Sequence, residues 1–102
     1  MAQFDVYANR RPSSIEIPYL LDVQSDIVDL ATRLVIPLVR RDAFGPAIDR
    51  LNPVVIIDAQ ELVASAGDLA GLPASQLGAF VTHIGHERER IMAAIDLLLT
   101  GV

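Results

Sequence analysis

Phe4 to Ala8 alternates, with Phe4, Val6 and Ala8 on one side and Asp5 and Tyr7 on the other. That is the period-two signature of a half-buried strand. Asn9 to Ser14 is polar, carries Arg10-Arg11 and Pro12, and breaks the pattern as a loop. The alternation resumes over Tyr19 to Gln24, where Tyr19, Leu21 and Val23 share one face and Asp22 and Gln24 the other. Ser25-Asp26 predicts a capped turn carrying Ile27 and Val28. Arg33 to Val39 is almost continuously apolar and β-branched and predicts a central strand. Pro37 inside it removes a ladder donor and demands an edge position or a bulge. Arg40 to Asn52, with Gly45-Pro46 and scattered apolar residues, reads as loop with a short helical turn. Val54–Ile57 and Leu62–Ala66 flank Asp58-Ala59-Gln60-Glu61 as a hairpin. Gly67 to Pro73 is irregular or a short strand.

The period becomes helical between His86 and Leu99. Ile91, Ala94, Ile95 and Leu98 fall at i, i+3, i+4 and i+7. Glu87 and Glu89 occupy the first turn, where the helix dipole favours anions, and Gly101 is placed as the stop. The chain therefore predicts a mainly β barrel or roll closed by one C-terminal helix over residues 86–99.

A length of 102 residues predicts one domain spanning 1–102. Apolar residues make up 52% of it, more than one small core readily hides, which points to a homodimer interface. Abundant alanine inflates the same count, so composition alone leaves both readings open. The net charge of −5 argues against direct nucleic-acid binding, which needs a basic footprint. All eight cations are arginine, and cysteine is absent, so no disulfide or thiolate site is expected. The N-terminus lacks a signal-peptide pattern, and Asp96 interrupts the longest apolar helical run. These features predict a cytoplasmic protein without membrane contact.

Few residues suggest chemistry. His83 and His86 could share a face with Glu87, but no third ligand stands at a recognisable spacing, so no metal is expected. Asp22, Asp26 and Asp29 are close in sequence, and Asp26 is better explained as a turn residue. Arg10-Arg11 and Arg40-Arg41 read as solvated pairs. The hydroxyls of Ser25, Ser65, Thr82 and Thr100 lack a partnered base, and no glycine-rich phosphate loop occurs. No enzyme and no cofactor are expected. The helix that ends in Thr100-Gly101-Val102 offers either a protruding apolar tip or a fraying end that packs on a dimer axis.

Several segments, in order, resemble the CcdB family. They are Phe4-Asp5-Val6-Tyr7, Leu21-Asp22-Val23-Gln24-Ser25-Asp26-Ile27-Val28-Asp29, Leu34-Val35-Ile36-Pro37-Leu38, Asn52-Pro53-Val54-Val55 and the terminal Thr100-Gly101-Val102. The resemblance implies an SH3-like barrel that dimerises and acts as the toxin of a type II toxin–antitoxin pair. Such toxins trap the DNA gyrase A subunit on cleaved DNA without catalysing a reaction. A CcdA-like antitoxin folds over the toxin, releases gyrase and contacts promoter DNA for the pair. The implied gyrase face comprises Gln3, Phe4, Tyr7, Ser25, Ile27 and Val28, together with Asp96, Thr100, Gly101 and Val102 at the helix end.

Four of these depart from the family pattern. Val28 and Val102 replace isoleucines, Asp96 replaces an asparagine and Thr100 replaces a tryptophan. An aromatic anchor carries roughly 2–4 kcal/mol at an interface, so the last change removes most of one contact. Two alternatives stand beside the gyrase toxin. One is a Kid/MazF-like endoribonuclease, which shares the barrel but is echoed only loosely by Asn9-Arg10-Arg11-Pro12. The other is a detoxified homologue acting only with its antitoxin as co-repressor.

Overall fold

A computed structural model describes residues 1–101. Its strands are β1 (Asp5–Asn9), β2 (Tyr19–Asp22), β3 (Thr32–Arg40), β4 (Val54–Ile57), β5 (Gln60–Ala64), β6 (Ala70–Pro73) and β7 (Leu77–His83). Helix α1 (Arg41–Phe44) is a single turn, and α2 (Arg88–Thr100) follows a 3-10 turn at Gly85–Glu87. The pairings are antiparallel, in the order β4-β5-β3-β2-β1-β7, with β6 also on β3. The result is the mainly β half-barrel with one C-terminal helix that the sequence predicts.

Pro37 is neither at an edge nor in a bulge. It sits in the interior strand β3, paired with Leu20 of β2. Its carbonyl accepts the Ser65 N–H at 3.0 Å. The N–H and C=O of one strand residue point the same way, so the missing donor faces the β5–β6 side. There β3 changes partner, from Ala70 of β6 opposite Val35 to Ala64 of β5 opposite Leu38. The proline fills the one gap in which no ladder donor is needed.

The β4–β5 hairpin is tighter than predicted. Ile57 pairs with Gln60, so β5 starts two residues before Leu62. Asp58 (φ 51°) and Ala59 (φ 61°) both take the left-handed conformation that a two-residue hairpin turn of the right twist requires.

The main core lies between the sheet and α2, and includes Val6, Leu21, Ile36, Leu38, Leu62 and Ile91. Full burial of each such side chain contributes about 1.5–3 kcal/mol. Helix α2 inserts Ile91, Ala94 and Ile95, whereas Leu98 remains 39% exposed. Its end follows the sequence reading: Gly101 is left-handed at φ 78° and donates to the Leu97 carbonyl at 3.0 Å. A second cluster, Tyr7, Leu20, Val35, Leu72 and Leu77, forms on the other side of the sheet. Strand β1 is therefore buried on both faces, not half-buried. The face that carries Asp22 and Gln24 is likewise interior. No helix of the described residues is long and apolar enough to cross a membrane.

Candidate functional site

The β2–β3 connection presents the most exposed large apolar side chain of the described residues, Ile27 at 92%, beside the exposed Val28 and Leu30. Its base is rigid. Asp22 is fully buried and its Oδ1 accepts the Gln24 N–H at 3.0 Å. The buried Gln24 amide then donates to the Val28 carbonyl (2.7 Å) and accepts the Leu34 N–H (3.0 Å). Ser25 accepts the Val28 N–H through its carbonyl and the Ile27 N–H through Oγ. Asp22, Gln24 and Ser25 thus hold a turn that offers apolar side chains to solvent.

Beneath the turn, Arg33 Nε and Nη2 both lie 2.8 Å from Asp22 Oδ2 in a buried ion pair. Burial pushes the Asp22 carboxyl above its ordinary pKa, against the opposing pull of the Gln24 N–H and Arg33.

Gln3 ties this turn to the terminal helix. Its backbone N–H donates to Asp26 Oδ1 at 2.6 Å and its Nε2 to the Val23 carbonyl at 3.0 Å. Its Oε1 accepts Arg88 Nη1 at 2.9 Å. The Arg88 guanidinium also stands 5.6 Å from the centre of the Phe4 ring, a cation–π contact. Phe4 is buried in the main core and adopts φ 72°, a costly conformation for a bulky residue. It is clamped there because its N–H donates to the Asp22 carbonyl and its carbonyl accepts the Ile84 N–H.

The helix end lies elsewhere along the same element. Arg88, Met92, Asp96 and Thr100 follow one another at intervals of four, a single ridge about 18 Å long. Thr100 Oγ1 donates to the Asp96 carbonyl at 2.7 Å, so the hydroxyl is turned back on the helix. Gly101 closes the helix, and Val102 lies outside the described residues. The structure thus groups Gln3, Phe4, Ser25, Ile27 and Val28 at the start of α2, and Asp96, Thr100 and Gly101 at its end. Sequence reasoning overlooked Arg88, although its four-residue spacing from Met92 and Asp96 was visible.

Tyr7 belongs to neither group. It is buried in the second cluster, meets Phe80 edge-on at 6.1 Å and donates to Asp5 Oδ2 at 3.2 Å. Burial and the Asp5 charge push its phenol up to about 12. Asp5 in turn lies 2.9 Å from His83 Nδ1. Burial alone would raise the Asp5 carboxyl, but hydrogen bonds from Ala2, His83 and Tyr7 hold it below its ordinary pKa. Among the described residues no three His, Cys, Asp or Glu side chains are grouped to hold a metal ion.

A family model described as CcdB protein matches residues 3–101. Toxins of that family are gyrase poisons and not enzymes, so the ribonuclease alternative gives way. With the match spanning almost the whole chain and the half-barrel and terminal helix in place, this protein belongs to the CcdB family.

Proposed function

We propose that this protein is the toxin of a type II toxin–antitoxin pair, a cytoplasmic homodimer that binds and poisons DNA gyrase and is neutralised by a CcdA-like antitoxin. The family match over residues 3–101 carries this reading. The geometry supports it through the Ile27–Val28 turn, an exposed apolar feature on a rigid polar base. Exposed apolar groups of this kind are what a protein partner desolvates.

In this reading Gln3, Ser25, Ile27 and Val28 meet the gyrase A subunit, while Phe4 and Tyr7 hold the strand from within. Asp96 and Thr100 extend the contact along α2 to Gly101 at its cap, and Val102, which the resemblance adds to this face, lies outside the described residues. Exposed Leu98 and Leu99 supply apolar surface for the second protomer. The test is induction in a sensitive host, with gyrase-linked DNA cleavage and RNA integrity measured in parallel. Cleaved DNA with intact RNA supports the reading; intact DNA with growth arrest refutes it. Thr100, whose hydroxyl is spent on the helix, favours a second reading: a detoxified homologue that retains antitoxin binding but arrests no growth.

A further inference from the structure

The eight arginines are not used alike. Arg33, Arg40, Arg41 and Arg90 each face a carboxylate at 3.2 Å or less, and Arg88 is taken up by Gln3. The other three, Arg10, Arg11 and Arg50, are exposed and have no ion-pair partner among the described residues, and of these Arg10 and Arg11 stand side by side. Arg10 and Arg11 line a cleft of about 280 Å³ whose other wall is Ser75 and Gln76, from the 3-10 turn between β6 and β7.

The cleft is built before any ligand arrives. Asn9, only 7% exposed, accepts the Arg11 N–H through Oδ1 at 3.0 Å and donates through Nδ2 to the Ile17 carbonyl at 2.8 Å. Behind the other arginine stands Gly78. A Cβ at that position would lie 2.7 Å from the Ala8 carbonyl oxygen and 2.9 Å from Arg10 Cγ. The bare glycine therefore lets the Arg10 stem lie across β7. A loop fixed in this way loses little entropy on binding.

Two guanidinium forks beside a hydroxyl and an amide suit carboxylate or phosphate oxygens. Two observations select the carboxylate. The cleft of about 280 Å³ has room for a pair of side chains, and its lining of Arg10, Arg11, Ser75 and Gln76 offers no aromatic ring on which a base could stack. The chain, at net charge −5, lacks the broad basic footprint that a polyphosphate needs, whereas a short acidic segment needs two local cations only.

We propose that this cleft docks an acidic segment of a partner polypeptide, its carboxylates gripped by Arg10 and Arg11 with Ser75 and Gln76 completing the contact. The five residues of β1, Asp5–Asn9, about 17 Å of extended chain, separate Phe4 from Arg10. The acidic segment can therefore occupy its cleft while the Ile27 turn is engaged.

The experiment is fluorescence anisotropy with a labelled, end-capped octapeptide rich in glutamate, its glutamine counterpart and a single-stranded oligonucleotide. Each is titrated with the wild type, with Arg10→Gln/Arg11→Gln and, as a charge-matched control, with Arg40→Gln/Arg41→Gln. The glutamate peptide is expected to bind, to lose at least tenfold in affinity with the first pair and less than twofold with the second. The glutamine peptide is expected not to bind. Equal losses in both pairs, tighter binding of the oligonucleotide, or no binding of the glutamate peptide to the wild type overturns the proposal. All side chains altered are exposed, and melting temperatures confirm that each variant is folded. Gyrase takes no part in the assay, so its outcome is independent of the toxin reading.

Discussion

Replacing Arg33 by methionine tests how the apolar turn is held. The substitution keeps an unbranched stem but leaves the Asp22 carboxylate, which is fully buried, with the Gln24 N–H as its one remaining hydrogen-bond donor. Removing one partner of a buried pair costs about 3–5 kcal/mol. Domains of this length are stable by only about 5–15 kcal/mol, so the variant keeps a small reserve and its melting temperature falls by more than about 12 °C.

The loss depends on pH, and its sign follows from burial. The folded pKa of Asp22 already lies above its ordinary value, and removing Arg33 raises it further. A group with a raised folded pKa contributes stability that is fully present below the unfolded pKa and lost as pH rises through the folded one. The deficit of Arg33→Met is therefore smallest below about pH 3, where the carboxyl is protonated in both the folded and the unfolded state, and grows as pH rises towards about 7. Urea unfolding at a series of pH values measures it. Asp22→Asn/Arg33→Met, with no buried charge, recovers part of the loss. A deficit that is flat with pH, or below about 1 kcal/mol, refutes the argument that an uncompensated buried charge is the cause.

Three further outcomes are expected. Thr100→Trp replaces a back-bonded hydroxyl with an aromatic anchor and strengthens binding to a gyrase A fragment by about one and a half to three orders of magnitude in calorimetry; an unchanged affinity removes the helix end from the working surface. Arg88→Met releases Gln3 and uncovers Phe4, weakening gyrase binding about tenfold while costing the fold only ~1 kcal/mol, read as melting temperature. Gly78→Ala forces a Cβ against the Ala8 carbonyl and the Arg10 stem, lowering stability by about 1–3 kcal/mol in denaturant titration and weakening the glutamate peptide.

The sequence made the major elements legible wherever one face of a strand or helix was plainly apolar. The pattern in Tyr19–Asp22, the apolar run of β3, the β4–β5 hairpin and the Ile91–Ala94–Ile95 stripe all lead to observed elements. Strand β7 was not anticipated because, as an edge strand, it leaves Ala79 and Phe80 exposed and shows no regular alternation. Asp22 and Gln24 stand out in the sequence only as one polar face of a strand, because periodicity reports polarity, not depth. Only the curl of the sheet buries them, and only the fold brings Arg33 to Asp22 across eleven positions. Family resemblance is what put the loop and the helix end forward as a candidate surface. The Gln3–Arg88 link joins residues 85 positions apart, and no local pattern announces such a contact.

Pairing of β1 with β7 has a consequence for the order in which the molecule can be made. Asp5 and His83 face each other across 78 positions, so β1 waits for β7. Until residues 77–83 exist, β1 has β2 on one side and an open edge on the other. Phe4 lacks the Ile84 bond, and Gln3 lacks Arg88, for as long as α2 is unmade. Contacts between distant parts of a chain form late, and domains complete as units. The surface that carries Ile27 and Val28 therefore gains its full support only once Ile84 and Arg88 have been made, and a nascent chain that stops short of them presents that surface without its clamp.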